Sequence, residues 1–243
     1  MAVVIFAFMC SPQTGYAETK PLRMGTLDLT PYGWVAADGS KHGLVYRLHE
    51  EIGKRSGLQY TNDIIPLARA FIMLKNGDLD LITAQAHNAA LDAGAPLIVQ
   101  NLIRVVAVTK KNSGMARLSD LKGKHLLYII GTSYPPLEGI PGNISRTPNY
   151  HTMLKMVYSR PLIDGGIFSE PAYYYWLQQT SMTANDFGKP IPVATRKDWV
   201  FVRKDLPAHL REKIVKAVES MREDNFYENM LKELAVKSPL KQF

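Results

Sequence analysis

The stretch IPLARAFIMLKNGDLDLITAQ, residues 65–85, predicts a helix that runs directly into a buried strand. Pro66 suits the first turn of a helix, where its missing N–H is not needed. Apolar residues then recur at spacings of three and four, so the helix buries one face. Gly77 suits the left-handed position that ends a helix. Residues 78–83 predict a short strand of the kind that is covered on both faces in a parallel sheet.

The alternation of helix and strand extends upstream of this stretch. We predict a strand over 22–26, a loop over 27–35, a helix over 44–56 ended by Gly57, and a strand over 58–65. Asp38-Gly39 is a turn dipeptide between the first strand and the first helix. The resulting β-α-β-α-β order favours parallel strands joined by right-handed crossovers.

The composition is that of a globular chain with a sizeable core. The 243 residues are 46% hydrophobic, and the net charge is +7. This charge admits an anionic partner, but the basic residues are scattered, with no run beyond Lys110-Lys111, so we predict no nucleic-acid binding. The six histidines are dispersed and give no metal-ligand spacing, so we predict neither a metal nor a cofactor.

The first 17 residues predict a signal peptide rather than part of the fold. An apolar run at 2–9 is too short to span a bilayer, and residues 15–17, GYA, place small residues where signal peptidase requires them. The usual positively charged start is missing, which indicates that translation begins upstream. A disordered segment or a buried strand is the alternative. Cys10, a candidate lipid anchor, follows residues that match such a site poorly.

Three segments in order, LRMGTLDLTPYGWV, DGSKHGLVYRLHEEIGKRSGLQY and PLARAFIMLKNGDLDLI, resemble the bacterial periplasmic solute-binding proteins of the amino-acid-binding type, family 3. That family has an opening strand with Gly-Thr, a Pro-aromatic loop, an Asp-Gly turn, and a Gly-(Asp/Glu)-hydrophobic-Asp entry to a strand. The order and spacing of these segments carry the resemblance.

The second half of the chain continues the resemblance, which covers about residues 21–234. LSDLKGK at 118–124 is similar to the family's short element before a strand. After it we predict a strand over 125–130, a helix over 149–159, a strand over 163–168, a helix over 172–179, a strand over 199–204 and a C-terminal helix.

The resemblance implies an α/β fold, the two-lobed type II periplasmic-binding-protein clamshell, with a mostly parallel sheet flanked by helices in each lobe. The chain is expected to cross between the lobes near 105–110 and 191–196. Lobe one then comprises 18–107 and 196–243, and lobe two comprises 108–195. Ligands of open α/β sheets bind at the carboxyl ends of strands, so we expect the solute between the lobes, trapped by hinge closure.

In lobe one the candidate ligand contacts follow the strands. Tyr32 and Trp34 lie in the loop after the first strand, where an aromatic ring can stack on a ligand or pack in the core. Arg69, near a helix start, can pair with a carboxylate or lie on a solvated face. Thr83 and Gln85 lie at a strand end, where backbone groups and the Gln85 amide can face the cleft.

In lobe two the candidates lie at two turns that follow strands. Thr132 and Ser133 can hold a carboxylate with their hydroxyl and N–H groups, or can simply cap a helix. Ser169 and Glu170 open the next helix. Glu170 can accept a hydrogen bond from a ligand amine, or can complement the helix dipole.

Two departures from the family pattern bear on the ligand. Members that bind α-amino acids commonly carry an arginine soon after the strand that ends at Thr83, yet residues 84–95 contain none. They also commonly carry an aspartate where Ser169 stands. Because charge-assisted hydrogen bonds are the strong ones, the loss of both disfavours an ordinary α-amino acid.

We therefore predict a monomeric periplasmic protein that captures a small polar solute, amino-acid-like or a carboxylate, for uptake by an ABC-type inner-membrane permease. Docking on a membrane receptor to signal is the alternative, and a dehydratase-like enzyme with Glu170 as acid or base is a third. We predict no catalytic residue, because the sequence has no G-x-S-x-G motif, phosphate loop or His-Cys-Asp constellation.

Overall fold

The computed structural model describes residues 20–235, with the side chains of 20–233. The predicted signal peptide and Cys10 lie outside these residues. The strands are β1 (Leu22–Leu27), β2 (Trp34–Val35), β3 (Lys41–His42), β4 (Tyr60–Ile65), β5 (Leu81–Gln85), β6 (Ala95–Thr109), β7 (His125–Ile129), β8 (Asn143–Thr147), β9 (Gly165–Ser169) and β10 (Ile191–Val202). The helices are α1 (Leu44–Ser56), α2 (Leu67–Asn76), α3 (Asn88–Ala93), α4 (Tyr150–Ser159), α5 (Glu170–Gln178), α6 (Ala208–Glu223) and α7 (Phe226–Ala235).

A curled mixed sheet of eight strands organises the described residues, in the order β4-β1-β5-β10-β6-β9-β7-β8. At one end β1 runs parallel to β4 and β5, and at the other end β7 runs parallel to β8 and β9. The long strands β6 and β10 lie between them, antiparallel to each other and to their outer neighbours. The predicted α/β class with parallel strands in each half is confirmed, but the halves share one continuous sheet through β6 and β10 in place of the mostly parallel sheet predicted for each lobe.

The two long strands connect the ends of the sheet. Strand β10 pairs with β5 over residues 198–202, and β6 pairs with β9 over 105–109. The predicted crossing at 191–196 falls on β10, and the one at 105–110 falls on β6 except for its last residue. The division into lobes at these points stays a prediction.

The first two helices form where the sequence predicts them. Helix α1 ends at Gly57 and buries Val45, Leu48 and Ile52. Helix α2 begins just after Pro66, and Gly77, at φ 80°, takes the left-handed position that ends it.

The strand after α2 begins later than predicted, at Leu81 instead of residue 78. The backbone N–H groups of Asp78 and Leu79 both donate to the carbonyl of Met73, at 2.8 and 3.2 Å, and so close the helix end. These two residues therefore cannot join the sheet ladder.

Several elements were not predicted: β2, β3, β6, β8, α3, α7, and most of β10. Strand β8, NISRT, is polar and mostly exposed, so it lacks the apolar pattern of a strand. Strands β2 and β3 have two residues each, too few for any periodicity. Within the described helices, none is long and apolar enough to cross a membrane.

Candidate functional site

A cavity of about 120 Å³ opens at the carboxyl ends of β1, β5, β7 and β9. Strands β6 and β10 form its back. Its apolar and aromatic lining consists of Leu27, Leu29, Tyr32, Val45, Leu67, Phe71, Ala84, Ile103, Val105, Tyr134 and Tyr150. This is the edge of the sheet at which open α/β folds bind ligands.

Six of the nine predicted contact residues line this cavity. They are Tyr32, Thr83, Gln85, Thr132, Ser133 and Ser169. The structure therefore brings together residues that are up to 137 positions apart in the chain. Their role in binding stays a prediction.

The other three predicted residues lie elsewhere. Trp34 stacks on His42, with ring centroids 5.5 Å apart. Arg69 is exposed on α2, because the face of that helix toward the cavity carries Leu67 and Phe71. The Glu170 carboxylate forms an ion pair of 2.5 Å with the Arg104 guanidinium instead of lining the cavity.

Helix α1 holds Tyr32 in place. The N–H groups of Val45 and Tyr46, in the first turn, donate to the Tyr32 carbonyl at 2.9 and 3.2 Å, so the loop supplies acceptors that the helix start needs. Gly43 precedes the helix with φ 133°, and a Cβ there would lie 2.1 Å from the Tyr32 carbonyl oxygen. Only glycine fits this close approach of two backbone segments.

Two buried phenols meet Ser169 at the end of β9. The Tyr32 hydroxyl donates to Ser169 Oγ at 2.5 Å, and Tyr150 also forms a side-chain hydrogen bond with Ser169. Burial raises the pKa of both tyrosines, so both are neutral near pH 7. Ser169 makes no side-chain cap of α5, although it stands at the helix start.

Thr83 belongs to a buried polar chain beneath the cavity. Its hydroxyl donates to Gln100 Oε1 at 2.5 Å and lies 2.8 Å from His49 Nε2. His49 Nδ1 lies 2.9 Å from the Thr26 hydroxyl, which donates to Asn62 Oδ1. Burial lowers the pKa of His49 to about 4, so its ring is neutral at pH 7.

The loop after β7 differs from an anion-binding helix start. The Thr132 hydroxyl donates to the Ile129 carbonyl at 2.7 Å, and Arg146 Nη1 donates to the Thr132 carbonyl at 2.8 Å. The following Pro135–Leu137 segment is a single 3-10 turn whose two prolines have no N–H. Pro135 and Pro136 therefore offer no backbone N–H to a ligand, and the binding role of Thr132 and Ser133 stays a prediction.

Sequence reasoning missed two charged residues of the cavity, Arg196 and Asp198, both on β10. Arg196 Nη1 donates to the Ser133 carbonyl at 2.7 Å, and its guanidinium lies 5.8 Å from the Tyr134 ring centroid. The sequence candidates lie at strand ends and helix starts, whereas Arg196 and Asp198 lie within a strand. Arg196 and Asp198 are two positions apart in the segment TRKDW, so they fall on one face of a strand. This alternation is the signal that would have identified both residues.

Asp198 is buried at the back of the cavity, 5% exposed. It pairs across the sheet with Gln85, and its carboxylate accepts hydrogen bonds from Gln85 and, at 3.3 Å, from Asn101 Nδ2. Burial nevertheless dominates and raises the pKa of Asp198 to about 7. Among residues 20–233, no three His, Cys, Asp or Glu side chains are grouped to hold a metal.

Solved structures with the same fold share little sequence with this chain. An ancestral arginine-binding protein bound to arginine matches at TM-score 0.70 and 20% identity, over 88% of this chain and 97% of that one. The GluR0 ligand-binding core in complex with L-glutamate matches at TM-score 0.72 and 13% identity, over 88% and 99%. Substrate-binding domain 2 of Lactococcus lactis GlnP, in its open conformation, matches at TM-score 0.65 and 18% identity, over 87% and 93%.

A comparison with curated proteins found no matching sequence. The model of one protein family matches almost all of the described chain, from residue 22 to residue 234. The resemblance seen in the sequence is thereby confirmed: the chain belongs to the bacterial extracellular solute-binding proteins, family 3.

Proposed function

We propose that this chain captures a small carboxylate or amino-acid-like solute between two lobes, 18–107 with 196–243 and 108–195, and delivers it to an ABC-type permease in the inner membrane. It would do so as a periplasmic monomer, after removal of residues 1–17. Membership of the extracellular solute-binding family supports an extracytoplasmic binding role with a membrane transporter as partner.

One observation carries this proposal: the cavity is lined from both sides of the proposed hinge. Tyr32 and Gln85 come from lobe one, and Ser133 and Ser169 come from lobe two. A solute that contacts both groups stabilises the closed arrangement, because it gains contacts in that state that the open state cannot offer.

Catalysis is not part of the proposal. Glu170, the carboxylate that the dehydratase hypothesis requires, is paired with Arg104 and does not line the cavity. A general acid or base must lie within hydrogen-bond reach of the reacting group.

Thermal unfolding with a solute panel tests the proposal. The panel contains amino acids, opines, polyamines, dicarboxylates, and aromatic and aliphatic acids. A ligand at about 1,000 times its Kd adds about 4 kcal/mol, and each kcal/mol moves the midpoint of a chain of this size by about 2–4 °C. We expect one chemical class to give such a shift. A flat response to the whole panel, with protein first unfolded and refolded to remove any bound solute, would contradict the proposal.

A pair of variants locates the binding. Ser133 is exposed at the mouth of the cavity, so Ser133→Trp should block entry and abolish the shift. Ser181 is also exposed but lies outside the lining, so Ser181→Trp should keep the shift. Loss of the shift in both variants, or in neither, would place the solute elsewhere.

A further inference from the structure

We propose that the solute is a monocarboxylate with an apolar body and no ammonium group, and that Arg196 binds its carboxylate. The inference rests on the proposed function and names the ligand class of the same cavity. It is carried by the arrangement of one guanidinium, an apolar wall, and acidic side chains that are withdrawn from the cavity or already hydrogen-bonded.

The walls of the cavity suit an apolar body. Leu67 and Phe71 project from one face of α2, while Ile103 and Val105 project from β6 on the other side. The free volume is about 120 Å³. An engineered apolar cavity of about 150 Å³ holds benzene, so the body of the ligand should be no larger than a single ring or a short branched chain.

Arg196 supplies the cationic group. Of the lysines and arginines in the described part of the chain, it is the one that lines the cavity. Its bond to the Ser133 carbonyl and its contact with the Tyr134 ring fix the guanidinium at the cavity wall. A guanidinium has five N–H donors in a planar fork, of which the Ser133 bond uses one, and this fork matches a carboxylate.

The acidic groups near the cavity do not suit an ammonium. Glu170 pairs with Arg104, outside the lining. Asp198 does line the cavity, but it is deeply buried, and Gln85 and Asn101 already donate to it. Its burial favours the protonated, neutral form, so it offers little charge to a cation.

The position at the end of β9 is also unsuited to an ammonium. Ser169 stands there, and its hydroxyl is engaged by the phenols of Tyr32 and Tyr150. An ammonium that enters this cavity loses its water shell without gaining an ionised partner, which is costly. A carboxylate with an apolar body avoids that cost, because the Arg196 guanidinium is an ionised partner for it.

Two matched series of compounds test this class by isothermal titration calorimetry. One series is 3-phenylpropanoate, L-phenylalanine and 2-phenylethylamine, and the other is 4-methylpentanoate, L-leucine and 3-methylbutylamine. Within each series the body is the same, and only the charged groups change. We expect the carboxylate of at least one series to bind at least about tenfold tighter than its amino acid, a difference of about 1.4 kcal/mol, and neither amine to bind.

Arg196→Gln should weaken binding of that carboxylate by at least about tenfold, because it removes a charge-assisted pair. The neighbour Lys197 is exposed and does not line the cavity, so Lys197→Gln should leave the affinity unchanged. If Arg196→Gln does not fold, Arg196→Lys keeps the charge but loses the fork, and should still weaken binding more than Lys197→Gln does.

Three results would overturn the inference: an amino acid that binds as tightly as its carboxylate, an amine that binds, or an unchanged carboxylate affinity in the Arg196 variant. Absence of binding by every compound of both series also overturns the inference. If another member of the broader panel then shifts the unfolding midpoint, the proposed function stands and only the ligand class is wrong. If no compound of the panel shifts the unfolding midpoint, the proposed function is wrong as well.

Discussion

The Tyr32 hydroxyl donates to Ser169 Oγ at 2.5 Å across 137 positions of the chain. Tyr32 sits in the loop that caps α1, and Ser169 ends β9, so this bond joins the two sides of the candidate site. The bond lies at the cavity itself. The same pair of side chains therefore lines the cavity and connects the loop before α1 to the end of β9.

Tyr32→Phe should lower the free energy of unfolding by about 1 kcal/mol, the net contribution of a typical hydrogen bond. Urea unfolding measures the change. Tyr173→Phe is the matched control, because the Tyr173 hydroxyl is buried without a hydrogen-bond partner and its removal should be neutral or slightly stabilising. Equal effects of the two substitutions would show that the Tyr32 bond adds nothing to stability.

Gly43→Ala should destabilise the chain by roughly 3 kcal/mol or more, since it adds a backbone clash to an unfavourable φ. The new Cβ would lie 2.1 Å from the Tyr32 carbonyl oxygen. Gly39 also has positive φ, at 83°, but a Cβ there meets nothing within 4 Å. Gly39→Ala should therefore cost only about 1 kcal/mol. Similar costs at both sites would mean that the contact between Gly43 and the Tyr32 loop is not tight.

Asp198 and His49 should have opposite effects on how stability varies with pH. Burial raises the pKa of Asp198 from 3.8 to about 7. Its contribution to the free energy of unfolding is therefore largest below pH 3.8 and is lost as pH rises through 7. Burial lowers the pKa of His49 from 6.5 to about 4, so its contribution is present above pH 6.5 and is lost as pH falls through 4. Between these limits the two contributions offset each other.

Asp198→Asn should leave His49 alone to determine how the free energy of unfolding varies with pH in this range. Across the window from pH 4 to 6.5, the variant's free energy of unfolding should rise by roughly 3 kcal/mol more than that of the wild type. Urea unfolding at a series of pH values measures this slope. The control Asp92→Asn removes an exposed carboxylate and should leave the slope near that of the wild type. A wild-type slope in Asp198→Asn would mean that Asp198 is ionised throughout the window.

Asp80→Asn should cost about 2 kcal/mol, because Asp80, just before β5, joins β1 to the residue that follows β10 through charge-assisted hydrogen bonds. Its Oδ1 accepts from Arg203 Nε and its Oδ2 accepts from the Arg23 backbone N–H, both at 2.8 Å. Burial opposes ionisation, but the bonds from the two arginines outweigh it and lower the pKa of Asp80. In contrast, Asp92 pairs with Lys75 on the surface, so Asp92→Asn should cost less than about 0.5 kcal/mol. Equal costs in urea unfolding would refute the structural role of Asp80.

The sequence predicts best those features that local rules determine. Helices α1 and α2 carry clear apolar faces and end at Gly57 and Gly77, so their bounds were predicted nearly to the residue. Strand ends also indicated six of the cavity residues. These features need only short-range periodicity, turn chemistry and the order of elements.

Side-chain direction and long-range pairing were not predictable in this way. Arg69 was a candidate because it lies near a helix start, yet Leu67 and Phe71 face the cavity in its place. Arg196 and Asp198 were missed because β10 appears in the sequence as a short returning strand, whereas pairing with β6 extends it over Ile191–Val202. That extension depends on pairing with a distant strand, which a short stretch of sequence does not show.

Small-angle X-ray scattering tests the central claim, solute capture by lobe closure, most directly. The purified protein is measured alone and with saturating 3-phenylpropanoate or 4-methylpentanoate. We predict that a bound carboxylate lowers the radius of gyration, and that the curve calculated from the structure, in which Tyr32 and Ser169 are in contact, fits the liganded sample better than the free one. Binding with identical scattering curves before and after addition would contradict capture by closure.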